Sequence, residues 1–140
     1  MEALGLQTDQ QYSGRVPLLL VLRIVLSLHV LAVLVQAVLA GQFLSGPEAP
    51  VVAHARTAWF ILALSVAQII AAAWFVRRGG PLWTLVASIF VLIAEALQTG
   101  TGYGRFLGVH IPLGVFVFGA VSWMMFWAFR KRAAGGNRPA

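Results

Sequence analysis

LLLVLRIVLSLHVLAVLVQAVLAGQFL, residues 18–44, decides the fold. It is longer than the ~20 residues with which a helix crosses a ~30 Å hydrocarbon layer. Arg23 is its one fixed charge. Three more apolar runs follow, Val51–Val76, Leu82–Thr99 and Phe106–Phe129, parted by short polar breaks. The expectation is an all-α fold, an integral membrane four-helix bundle. Of 140 residues, 60% are hydrophobic and 10% charged. A soluble domain carries about 25% charged residues, so this chain cannot clothe a water-facing surface. Residues 1–14 read as a polar N-terminal tail, 15–132 as one four-span membrane domain, and 133–140 as a flexible C-terminal tail. That division leaves no room for a soluble catalytic domain. The first run is too long for a signal peptide, and Glu2 and Asp9 stand where a basic leader would.

The formal charge of +6 would suggest nucleic acid in a soluble protein. Here the basic residues flank the spans and meet anionic lipid head groups, so the lipid bilayer is the partner and nucleic acid is not. Arg15, the pair Arg77–Arg78, and the cluster Arg130, Lys131 and Arg132 share one side if the spans alternate in direction. The positive-inside rule then puts both termini in the cytoplasm of a bacterial cell, with the Ser45–Pro50 and Thr101–Arg105 loops outside the cytoplasmic membrane. Arg23, about two turns into span one, is expected to snorkel toward the inner surface. Cysteine is absent, which excludes disulfides, thiolate chemistry, Fe–S ligation and covalent haem attachment.

Gly79-Gly80-Pro81 reads as a tight inner turn and Gly100–Gly104 as the outer one. The second glycine cluster lacks the Gly-Lys-Ser/Thr of a phosphate loop. Pro112 falls near the start of span four, where its missing N–H costs least. The Trp123–Trp127 run suits a lipid face or a partner face.

The two halves repeat. Gln36 precedes Gly41, a loop and His54; Glu95 precedes Gly100, a loop and His110. Such a pattern predicts two similar helical hairpins about an axis normal to the membrane. His54 and His110 open spans two and four, which run the same way, so they lie at one depth near the outer face. Facing inward, two imidazoles present axial nitrogens to a flat group between them, as bis-histidine haem b requires. His54, Ala58, Ile61, Ser65 and Gln68 follow helical spacing along span two, and His110, Gly114 and Val117 along span four. Gly114 leaves clearance beneath its ligand, and Gly41, Gly46 and the Gly100–Gly108 cluster offer further thin walls. Close helix packing also uses such small residues. Arg56 and Arg105 lie at the same level and suit either haem propionates or lipid phosphates.

His29 sits near the middle of span one, where an unpaired polar group is expensive. Gln36 shares its face, and Glu95 holds the repeat position of Gln36. Three uses stand open: hydrogen-bonded packing between helices, a proton or quinone path with Gln36 and Glu95, or a third ligand or distal group beside a cofactor. Glu95, read as near the outer end of span three, is either neutral or paired with Arg105.

The order of four spans, with His54 and His110 opening the second and fourth, resembles one four-helix half of haem A synthase. The resemblance implies that His54 and His110 are the two metal ligands of a haem. The chain departs from that family in having four spans rather than eight, and Val51-Val52-Ala53 where the family carries a glutamate before the histidine. The surroundings of Gln36–Gly41, His54 and His110 also resemble a family of small actinobacterial four-helix membrane proteins, a likeness that brings no mechanism. Three functional readings follow. The first is a b-type haem protein for electron transfer or haem handling. The second is a cofactor-free assembly or interaction subunit, as a homodimer or within a larger membrane complex. The third is a small transporter or a component linked to a quinone or redox partner.

Overall fold

The computed structural model describes residues 2–46 and 49–130, with side chains from residue 17 onward except at 43, 49 and 50. Among the described residues four helices follow one another: α1 (Glu2–Ser45), α2 (Ala49–Arg77), α3 (Trp83–Tyr103) and α4 (Leu107–Arg130). Each contains a stretch long and apolar enough to cross a membrane: Pro17–Gln42, Val51–Arg77, Trp83–Tyr103 and Leu107–Arg130. The shortest has 21 residues, about 31 Å at 1.5 Å per residue. The chain is thus a multi-pass membrane protein by length and composition.

α1 packs on α2 and α4, and α3 packs on α2 and α4. The two hairpins α1–α2 and α3–α4 close a ring, with α2 facing α4 across one diagonal and α1 facing α3 across the other. The buried core includes Leu22, Leu26, Phe75, Val91, Val121 and Met124. Large apolar side chains such as Trp59, Phe90, Val115 and Phe126 are exposed on the outside, where the bilayer takes the place of water. At one end lie Arg77, Arg78 and Arg130; at the other lie His54 and His110. These are called below the arginine end and the histidine end.

Several boundaries differ from the sequence reading. α1 begins at Glu2, so residues 2–14, expected as a tail, are helical and continuous with the span. Their Glu, Ala, Leu and Gln content favours helix. Residues 131–140, with Lys131, Arg132 and the expected C-terminal tail, lie outside the described residues. α3 runs through Gly100 and Gly102 to Tyr103 rather than ending at Thr99. The longer α3 places Glu95 near mid-bundle and not near a helix end. Pro112 is the sixth residue of α4, inside the helix.

The turns after α2 and α3 are built alike. Gly80 N–H donates to Phe75 O at 2.8 Å and Gly79 N–H to Val76 O at 2.9 Å, with Gly79 at φ 83°. Phe106 N–H donates to Thr101 O at 2.9 Å and Arg105 N–H to Gly102 O at 3.0 Å, with Arg105 at φ 59°. Both are Schellman caps, which satisfy the last carbonyls of a helix and want glycine at the left-handed position. Arginine fills that position in the second cap.

Arg23 does not snorkel. It is buried, and its Nε and Nη2 donate to Ala128 O at 3.0 and 2.9 Å. Its guanidinium also lies 5.3 Å from the Phe129 ring centroid. The aromatic run of α4 likewise turns partly inward. Trp127 stands edge-on to Trp83 at 4.5 Å and to Phe75 at 6.5 Å, which joins α2, α3 and α4 at the arginine end.

Candidate functional site

His54 and His110 open helices that run in the same direction, and their rings meet across the diagonal. The centroids are 6.2 Å apart and the planes are inclined at 61°. Each ring is held by a carbonyl of a neighbouring helix. His54 Nδ1 lies 3.2 Å from Gln36 O, and His110 Nδ1 lies 2.7 Å from Gln98 O. A carbonyl only accepts, so both Nδ1 atoms carry a proton and donate it. In the neutral rings Nε2 is then the lone-pair nitrogen.

His110 lies directly against the backbone of α3. A Cβ added at Gly102 would sit 2.8 Å from His110 Cε1 and 2.9 Å from its Nδ1. This glycine therefore makes room for the ring. Gly114 does not face empty space. The Gln98 amide covers it, with Nε2 3.1 Å from where a Gly114 Cβ would stand, and reaches to 3.4 Å from His110 Nε2. The clearance read beneath His110 is thus filled by a side chain from α3. At Gly41, Gly46, Gly100 and Gly108 no atom of the described residues lies within 4 Å of where a Cβ would stand. Arg56 and Arg105 are exposed at this end. Trp59 Nε1 donates to Tyr103 OH at 3.3 Å, which ties α2 to α3 at the rim.

A second polar cluster lies at mid-bundle. Leu22, Leu26, His29, Val33 and Gln36 form the buried stripe of α1. His29 is fully buried, with Nδ1 2.7 Å from Gln68 Oε1 and Nε2 2.6 Å from Glu95 Oε1. Ser65 Oγ donates to Glu95 Oε2. Gln68 Nε2 donates to Ser88 Oγ at 3.1 Å and approaches Met124 Sδ at 3.6 Å. Ser88 Oγ donates to Thr84 O at 2.7 Å, and Thr84 Oγ1 to Pro81 O at 2.8 Å.

The direction of this chain fixes the imidazole. Thr84 O can only accept, so the Ser88 hydroxyl commits its proton there and must accept from Gln68. Gln68 therefore turns its N–H toward Ser88 and its Oε1 toward His29. That oxygen accepts, so His29 Nδ1 carries a proton. One further proton is shared between His29 Nε2 and Glu95 Oε1. The pair is neutral overall, either as imidazolium with carboxylate or as imidazole with carboxylic acid.

Of the expected mid-membrane set, His29 and Glu95 meet, and Gln36 stands apart from them. Gln36 is 6% exposed, and its Oε1 has no hydrogen-bond partner among the described residues. Glu95 pairs with His29 and Ser65 rather than with Arg105. Both ring nitrogens of His29 are engaged within this cluster. Sequence reading misses Gln68, Ser65, Ser88 and Thr84 as its members. A signal is present: Thr84, Ser88 and Glu95 recur at helical spacing and are the polar residues on the buried face of α3.

Comparison with protein-family models, with curated proteins and with solved structures finds no match for this chain.

Proposed function

We propose that this chain is a small membrane protein that binds one haem b between His54 and His110, for electron transfer or haem handling. The observation that carries the reading is the pair of inward imidazoles on diagonal helices, with centroids 6.2 Å apart. Two metal–nitrogen bonds of about 2 Å, with the ring radii added, span roughly 6 Å between centroids. His54 from α2 and His110 from α4 would be the residues that hold the haem iron. Each Nδ1 is tied to a backbone carbonyl, the supporting bond that ligating histidines ordinarily make, and this presents Nε2 as the ligand atom. Haem b bound there supplies a one-electron iron couple.

The chain's own residues do the positioning. Gly102 lets the His110 ring lie against α3. The Gln98 amide must swing off His110 Nε2 for that nitrogen to serve. Arg105 keeps a left-handed backbone that costs an L-residue roughly 1 kcal/mol, and its guanidinium at the rim suits a propionate. Arg56 is exposed at the same end. By the positive-inside rule we assign the arginine end to the cytoplasm and the histidine end to the outer side.

A cofactor-free bundle is the second reading, and the contact between Gln98 Nε2 and His110 Nε2 favours it. An absorption spectrum of the purified protein, expressed with ample haem, separates the two. Haem binding gives a Soret band and b-type α and β bands on reduction, with each lost or sharply altered in His54→Ala and His110→Ala. A colourless wild type overturns the haem reading.

A further inference from the structure

We propose that the His29–Glu95 pair is a proton-exchange site in the middle of the bundle, served from the histidine end past Gln36 and closed toward the arginine end by the Gln68 amide. The site does not depend on haem binding.

The pair holds one mobile proton, between His29 Nε2 and Glu95 Oε1. With that proton the pair is neutral. When it leaves, Glu95 remains a carboxylate beside a neutral imidazole that keeps its Nδ1 proton. Little else near the pair carries charge. Arg23 is engaged with Ala128 O toward the arginine end. His54 and His110 lie at the other end, α2 brings Ser65 and Gln68, and α4 brings Val117, Val121 and Met124. A charge change at the pair is therefore poorly compensated by its neighbours, and a buried ionisable group in a membrane span points to function.

The two sides of the pair are unlike. Toward the arginine end stands Gln68, which accepts at Oε1 and donates from Nε2. To relay a proton it would have to gain one on oxygen and lose one from nitrogen, leaving the imidic acid tautomer. Beyond it, Ser88 and Thr84 commit their hydroxyl protons to backbone carbonyls. The hydrogen bonds on this side hold structure and conduct nothing.

On the other side, Ser65 Oγ donates to Glu95 Oε2, and it could pass that proton on only if a water supplied another to the same oxygen. Gln36 stands two turns from His29 on the same buried stripe, about 10 Å along the axis. Its buried Oε1 has no partner, and a buried acceptor of this kind calls for water. The backbone carbonyl of the same residue faces His54 at the histidine end. On this proposal a water held by Gln36 would link the pair to that end.

The test is infrared spectroscopy of the whole protein in proteoliposomes of determined orientation. Wild type should show a Glu95 carboxyl band, of the acid or of the carboxylate, that responds to D2O and to pH steps on the histidine-end side and not on the arginine-end side. Glu95→Gln should abolish the band. Gln36→Leu, which leaves the pair intact, should slow its deuterium exchange about tenfold by removing the water's anchor. Should Glu95→Gln fail to fold, wild type and Gln36→Leu carry the test. A carboxyl band that responds to neither D2O nor pH, equal response from both sides, or unchanged exchange in Gln36→Leu would each overturn the proposal.

Discussion

His29 Nε2 and Glu95 Oε1 lie 2.6 Å apart in a bundle where both residues are almost wholly buried. Removing one member strands the other. Glu95→Leu leaves His29 Nε2 and the Ser65 hydroxyl without their carboxylate partner in the bundle interior, and should cost about 3 kcal/mol of stability. The double variant His29→Leu with Glu95→Leu should recover part of that loss, because no charge or lone donor is then left between those two positions. Denaturation of the detergent-solubilised proteins checks both. A double variant weaker than the sum of the singles would show that the pair's role is not mutual satisfaction.

Gly100 and Gly102 lie in the same helix two residues apart, yet alanine should act oppositely at each. Nothing lies within 4 Å of a Cβ at position 100, so Gly100→Ala should add roughly 0.5–1 kcal/mol through helix propensity. At Gly102 the added carbon would stand 2.8 Å from His110, and the strain should outweigh that gain by about 1 kcal/mol. Thermal melts of the two variants compare the signs directly. On the haem reading, only Gly102→Ala should also weaken the Soret band.

Arg105 occupies the left-handed position of its cap at φ 59°. Arg105→Gly should stabilise the fold by about 1 kcal/mol, because glycine adopts this conformation freely. On the haem reading the same variant should bind haem more weakly, since a propionate partner is lost. A rise in melting temperature with unchanged haem affinity would remove Arg105 from the site.

Arg23 fastens α1 to the last turn of α4 through Ala128 O. Arg23→Leu should cost about 2 kcal/mol, within the range for hydrogen bonds to charged groups. Arg23→Lys should restore only part of that, since an ammonium cannot present the planar pair of donors that reaches one carbonyl. Equal stability of Arg23→Leu and wild type would make the contact incidental.

Much of the candidate site is legible in the amino-acid sequence. The shared level of His54 and His110 follows from alternating direction and from their place at the start of spans two and four. Glu95 and His29 stand out because each is polar in an apolar run. The pairing of these residues is not legible. Helical spacing groups His29 with Gln36, but its partner on α2 is Gln68. Gly114 reads as open space, and the Gln98 side chain fills it.

The number of spans, their approximate lengths and the residues that must be satisfied inside them were determined by sequence alone. Transfer of a side chain from water to hydrocarbon depends on that side chain and its near neighbours, so it is written locally. Tertiary structure alone decided which polar atoms meet, which glycine yields to a ring, and that Arg23 turns inward. Lipid and core are both apolar, so hydropathy does little to orient a helix about its axis. The hydrogen bonds between His29, Glu95 and Gln68 depend on that rotation in three helices at once.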